Sequence, residues 1–402
     1  MSDFESRRVI EALRSGVPSR TVGQYFSSAR QDVLSMLSKR LDDVSEKGIS
    51  SGMVVTGRYG EGKTHLLNTV FNMAQTANMA VSFVTLSKET PFSQPFHVYQ
   101  KIVQNTYLPK RMQPGFLDVL ANITPHSPIA EEMMVYTAKN LLCDKLFYLF
   151  RSYLHTDDPE EKHMLLADLE GDFIGIQALR KIYKRIFSEK CAFNVSFAKT
   201  KHISDYFSML SHLFLALGYD GWVILFDEME LTGKLGKKTR LKAYKNMAPF
   251  LCPDDYSTLE STFSLFAITD SYLEEVIDKK HEHENLKTAG FETRDEEAAR
   301  CTLEAIESAV QLKPLTKSET SLIVEKLVEF YKRAYEWQPN LNVHDLYEST
   351  DNRGYLLRTR IRAVVECLDQ LYQYNQIGNI TIDELGQMNY EEDIPELPIE
   401  AI

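Results

Sequence analysis

Residues Gly57-Arg58-Tyr59-Gly60-Glu61-Gly62-Lys63-Thr64 read G-x-x-x-x-G-K followed by a hydroxyl residue, with every fixed position filled. Glycines in such a loop permit backbone angles that turn successive N–H groups inward around a phosphate, and a following helix adds its positive N-terminal end. Lys63 supplies a point charge for the β and γ phosphates, and the Thr64 hydroxyl is a ligand for Mg²⁺. Arg58, Tyr59, Glu61 and His65 complete the candidate nucleotide contacts. A second chemical signal is the pair Asp227-Glu228, which follows the apolar run WVILF. Acids at the end of a buried strand sit where open α/β sheets bind ligands. Asp227 is expected beside Mg²⁺ and Glu228 is expected to activate water, with Lys63 completing the catalytic set. Glu230 has a weaker claim. These residues together point to a nucleoside triphosphate held with Mg²⁺ and hydrolysed.

The loop needs a strand before it and a helix after it, and both are legible. GMVVT ends at Thr56, and a helix is predicted from about Lys63 to Gln75. Further strands are expected at 79–87, at WVILFD and at TFSLFAIT over 262–269, which gives an α/β fold of three layers around a parallel sheet. At the tip of the last of these, Thr269 or Asp270 is placed to sense the γ-phosphate. Residues 95–217 read as mostly helical, with an insertion at about 95–200. Ile203, Tyr206, Phe207, Leu210, Leu213, Phe214 and Leu217 share a helical face that Gly218 terminates. The charged stretch 278–300 reads as an exposed loop or mobile helix. Thr316 and Glu319 form a capping box ahead of another helix. Arg353, Arg358, Arg360 and Arg362 cluster near the start of a last strong helix, with Arg358 and Arg362 sharing a face, and any one of the four is a candidate to reach the phosphates from a lid. The domain plan is an N-terminal helical segment over 1–50, a core over 51–310, and a helical lid with an acidic tail over 311–402.

At 402 residues with 44% hydrophobic and 25% charged content, the chain has the composition of a globular protein with a sizeable core. No apolar run suits a membrane span or a secretory signal, so the expected compartment is the cytoplasm, with no membrane partner. The net charge of −12 argues against a surface coated in nucleic acid. One local exception is the acid-free stretch after Glu230, where Lys234, Lys237, Lys238, Arg240, Lys242 and Lys245 form a candidate patch for DNA or a protein partner. Arg240 is alternatively an arginine finger toward a neighbouring subunit. Cys143, Cys191, Cys252, Cys301 and Cys367 lack zinc or disulfide-framework spacing and read as reduced. His281 and His283 in HEH read as surface residues.

The segments GRYGEGKTH and VILFDEME, with the helical C-terminal region, resemble AAA+ ATPases of the origin-recognition and signalling type. VIEALRSGVPSR at 9–20, TLSKETPFSQPFHVYQKIV at 85–103, LGYDGWVILFDEME at 217–230 and LKPLTKSE at 312–319 are similar to the BrxD-like ATP-binding proteins of BREX phage-defence systems. That resemblance implies an AAA+-like P-loop ATPase that binds ATP in bacterial antiviral defence beside a helicase, a methyltransferase or other defence proteins; DNA and further copies of the chain are candidate partners from the basic stretch and Arg240. It assigns Lys63 and Thr64 to phosphate and Mg²⁺, Asp227 to Mg²⁺, Glu228 to water, and Thr269 and Arg358 to sensing. The alternative from a different class is a nucleotide-gated scaffold or switch with little hydrolysis of its own.

Overall fold

A computed structural model describes residues 3–16, 19–339, 341–350 and 356–377. In chain order the elements are α1 (Asp3–Ser15), α2 (Arg20–Tyr25), α3 (Gln31–Lys47), β1 (Ser51–Gly57), α4 (Lys63–Thr76), β2 (Ala80–Thr85), α5 (Pro95–Gln104) and β3 (Thr106–Tyr107). Then come α6 (Leu117–Leu120), α7 (Pro128–Lys139), α8 (Lys145–His155), α9 (Pro159–Ala167), a π-helical turn (Asp168–Asp172), α10 (Ile176–Phe187) and α11 (Lys199–Ala216). After β4 (Trp222–Asp227) and a 3₁₀ turn (Met229–Lys234) follow α12 (Lys237–Leu251), α13 (Pro253–Tyr256), β5 (Thr262–Thr269), a π-helical turn (Leu273–Asp278), α14 (Glu282–Lys287), α15 (Thr293–Glu307) and β6 (Val310–Gln311). The last helices are α16 (Lys317–Ala334), α17 (Val343–Thr350) and α18 (Leu357–Tyr374).

The chain divides into two compact units, one comprising 30–59 and 63–313, the other 1–29, 60–62 and 314–402. The larger unit is built on one sheet in the order β3-β2-β4-β5-β1-β6, parallel throughout except for β3, which runs antiparallel beside β2. The continuous apolar run of β4 is explained by burial on both faces. Trp222, Ile224 and Phe226 enter one core with residues of α5, α11 and α12, while Val223 and Leu225 enter another with α3 and α4. The layers are therefore helix, sheet, helix. Gly52 in β1 is required by close packing, because a Cβ there would lie 2.3 Å from the Phe250 carbonyl oxygen in the last turn of α12. The two-residue strands β3 and β6 lie outside the sequence expectation; each is too short to show an alternation.

Three other expectations change or narrow. Residues 1–50 do not form one segment: α1 and α2 belong to the smaller unit and α3 covers the sheet of the larger one. In the smaller unit, Val9, Ile10 and Leu13 pack with Leu327, Phe330, Val364 and Leu368, and Arg14 forks onto Asp369 at 2.9 and 2.6 Å. Of the two readings of residues 278–300, exposed loop or mobile helix, the structure gives helix over much of the stretch. It forms α14 and the first half of α15, whose Ala298, Ala299, Leu303 and Ile306 are buried, because small and apolar residues line one face beneath the charges. Finally, Cys252 and Cys301 form a disulfide, with Cα atoms 6.6 Å apart and 49 positions separating them in sequence. Folding brings α12 and α15 together, which spacing alone does not disclose. Cys143, Cys191 and Cys367 are free. The capping box at Thr316 and Glu319 is present, and Gly218 follows α11 with φ +83°. Among the described residues, no helix is long and apolar enough to cross a membrane. The acidic end at 389–402 lies outside the described residues.

Candidate functional site

β1 ends at Gly57, and α4 begins at Lys63, so the glycine-rich segment is the turn between a buried strand and a helix. Gly60 and Gly62 take φ +79° and +93°, a region glycine enters without the Cβ penalty. Lys63 is buried, and its Nζ donates to the carbonyls of Gly57 at 2.9 Å and Arg58 at 3.2 Å, curling back toward the end of β1. Thr64 Oγ1 donates to Asp227 Oδ2 at 2.7 Å, which joins the start of α4 to the end of β4. Tyr59 is exposed, and the His65 carbonyl accepts from Thr69 Oγ1 at 3.0 Å.

Asp227 is buried, and its other carboxylate oxygen accepts the Glu228 N–H at 3.0 Å. Burial pushes its carboxyl above the usual range, while Thr64, the Glu228 N–H and Lys63 oppose the rise. Glu228 adopts φ +60°, ψ +35°, the left-handed region, which costs a non-glycine residue about 1–3 kcal/mol and persists only where the surroundings impose it. Its carboxyl is raised by burial and by the Asp227 charge, with Lys63 and Lys234 pulling it down. Glu230 is raised to about 7, chiefly by burial. Its Oε2 is buried and accepts no hydrogen bond among the described residues.

β5 lies between β1 and β4, with Gly57 opposite Thr269 in register and the Asp270 N–H reaching the Gly57 carbonyl at 3.3 Å. Asp270 also stands 3.8 Å from the Arg58 guanidinium. The structure thus brings Gly57, Arg58, Lys63 and Thr64 to the same end of the sheet as residues 227–230 and 269–270. The donors fit the chemistry expected of them: a buried carboxylate and a hydroxyl 2.7 Å apart are hard oxygen ligands of the kind Mg²⁺ takes. Arg358, Arg360 and Arg362 lie on α18 in the smaller unit, where the Arg358 and Arg362 side chains pass over Gly16, and Arg360 stacks on Tyr347 at 4.2 Å. Arg353 lies outside the described residues.

The basic patch is smaller than its sequence suggests. Arg240 is 4% exposed and pairs with Glu282, so it is neither a surface cation nor free to act as a finger toward another subunit. It sits on the inward face of α12, which the spacing of lysines around it conceals. Lys245 is half-buried against Asp295 at 2.5 Å. Lys234, Lys237, Lys238 and Lys242 remain exposed. His283 pairs with Glu307 at 2.7 Å, and His281 is exposed. Glu282 and Lys280, both close behind the acidic turn, carried no sequence signal, because they stand in a run of charges without periodicity.

A family model described as BREX system ATP-binding protein BrxC/D matches residues 1–123 and 156–382. Comparison with individual curated proteins gives no match. The family match takes in the glycine-rich loop, the acidic pair and helices of both units, and passes over α7 and α8 of the helical insertion. The chain belongs to the BrxC/D family of BREX system ATP-binding proteins.

Proposed function

We propose that this chain is an AAA+-like P-loop ATPase that binds ATP with Mg²⁺ at residues 57–64 and hydrolyses it in the service of phage defence. The observation that carries the reading is the 2.7 Å hydrogen bond from Thr64 to Asp227, which sets the two expected Mg²⁺ ligands, from distant parts of the chain, against each other. The loop N–H groups and the N-terminus of α4 face the phosphates, and Lys63 exchanges its two carbonyl acceptors for phosphate oxygens. Thr64 and Asp227 hold Mg²⁺, which when bound offsets charge on the phosphate oxygens. Glu228 orients a water and accepts its proton as the new O–P bond forms and the β–γ bridge breaks; its raised proton affinity suits that role. Thr269, paired with Gly57 in register, is the residue we assign to sensing the γ-phosphate.

Other proteins of the BREX system are partners on this reading, a helicase and further copies of the chain among the candidates. DNA contact is assigned to Lys234, Lys237, Lys238 and Lys242, because exposed cations on one helix and its approach can neutralise backbone phosphates. The deciding experiment measures ATP binding and turnover for the wild type, Lys63→Ala and Glu228→Gln. The reading expects wild-type turnover, no binding by Lys63→Ala, and retained binding with turnover lowered on the order of 10²-fold or more in Glu228→Gln. Wild type that binds no ATP would sink it. Binding without turnover would instead establish the scaffold alternative.

A further inference from the structure

The turn that presents Glu228 is clamped from behind by side chains of α12, of α14 and of the residues just before α14. Its strained residue is fixed in front by the bond to Asp227, and the Leu231 N–H returns to the Glu228 carbonyl at 3.1 Å to start the 3₁₀ turn. At the far end of that turn, two cations reach main-chain oxygens. Lys280 Nζ donates to the Gly233 carbonyl at 2.7 Å, and Arg240 Nη1 donates to the Leu235 carbonyl at 2.6 Å. Arg240 is itself oriented by Glu282, whose Oε1 accepts from its Nη2; the glutamate is fully buried. Gly233 lets the turn seat closely, since a Cβ there would lie 2.6 Å from Val276 Cγ2 and 3.0 Å from Tyr272 Cε2.

This arrangement is a poor one if its role is only cohesion. Arg240 Nε and Glu282 Oε2 are buried without a hydrogen-bond partner among the described residues, and a partly satisfied buried ion pair is commonly no better for stability than apolar side chains of similar size. What it does supply is direction: a planar guanidinium held by a carboxylate on one side fixes a carbonyl on the other.

Resting on the reading of Glu228 as the hydrolytic base, we propose that Arg240 and Glu282, with Lys280, are positioning residues that hold the 228–235 turn and so keep the Glu228 carboxylate aimed at the attacking water. Lys280 and Glu282 follow the end of β5 in the chain, so the clamp also ties the acidic turn to the segment that leaves Thr269 and Asp270.

The test replaces both charges at once, Arg240→Met with Glu282→Leu, so that neither is left uncompensated. Arg240→Lys is made beside it, keeping the charge but losing the fork. In the double variant the proposal expects a KM for ATP within about 2-fold of wild type and a kcat lower on the order of 10- to 100-fold, with Arg240→Lys intermediate. In the nucleotide-free protein, the amides of 229–235 exchange with solvent faster. A merely structural pair predicts wild-type kcat in the apolar double variant, and that result, or unchanged exchange in 229–235, overturns the proposal. Wild type and Glu228→Gln run in the same assay: equal turnover in those two marks failure of the base assignment, whereas a Glu228-dependent wild type with an unaffected double variant marks failure of the clamp.

Discussion

Asp227, Glu228 and Glu230 lie within one turn of chain and have different electrostatic fates. Asp227 has a hydroxyl and an N–H to answer its charge, whereas Glu230 has a buried oxygen with no donor among the described residues. Burial dominates its rise to about 7; its own N–H and Lys63 oppose it, and the charges of Glu228 and Asp227 add to it. Tyr272 is a further titratable neighbour. A folded pKa raised above an unfolded value of 4.5 means that the folded state holds the proton more tightly. The stability this confers is complete below about pH 4.5 and is lost as pH rises through about 7. Urea titrations from pH 4.5 to 8 should therefore show a fall that Glu230→Gln removes, amounting to about 3 kcal/mol at one proton. The sequence DEME discloses three acids after a strand, but not which of them loses its water, since that depends on what packs over the turn.

At the scale of elements, the helical insertion carries a buried ion pair of its own. Lys145 at the start of α8 meets Asp168 in the π-helical turn at 2.5 Å; both are buried, and Tyr206 from α11 donates to Asp168 at 2.6 Å. Removing one charge strands the other, so Lys145→Met should destabilise the protein by about 3–5 kcal/mol in denaturant unfolding, and adding Asp168→Leu should recover much of the loss. α12 and α15 are joined covalently through Cys252 and Cys301. Thiol titration of the unreduced, unfolded protein should find three reactive groups, and Cys301→Ser should cost about 2–4 kcal/mol by freeing the loop between the cysteines in the unfolded chain. The outer face of α12 belongs to a different argument. If its lysines touch DNA as proposed, changing Lys237, Lys238 and Lys242 to Gln lowers affinity for any sequence alike, and the slope of log affinity against log salt falls by about 0.9 for each phosphate no longer neutralised. Fluorescence anisotropy at several salt concentrations reads both effects. Strands β4 and β5 and helices α4, α11 and α16 are legible in the sequence because each carries its own apolar run, periodicity, cap or motif; β3, β6 and α14 are not, being too short for any of these.

For the molecule as a whole, ATP should act as a stabilising ligand. At 100 times its dissociation constant it adds about 2.7 kcal/mol to the unfolding free energy, and Lys63→Ala should abolish the gain without nucleotide-free destabilisation of similar size. Thermal unfolding with and without ATP and Mg²⁺ tests this. Taken alone, the amino-acid sequence determined the glycine-rich loop between strand and helix, the acids closing an apolar strand, the α/β class and the family resemblance, because the demands of a phosphate loop and of a doubly buried strand are met by neighbouring residues. Tertiary structure decided the rest. It joined α1 to α18 through Arg14 and Asp369, turned Arg240 inward onto Glu282, bonded Cys252 to Cys301, and set Thr64 against Asp227. Each of these pairs is a meeting of residues far apart in the chain, fixed by how helices pack on a sheet or on one another, and such meetings leave no spacing or periodicity to be read in advance.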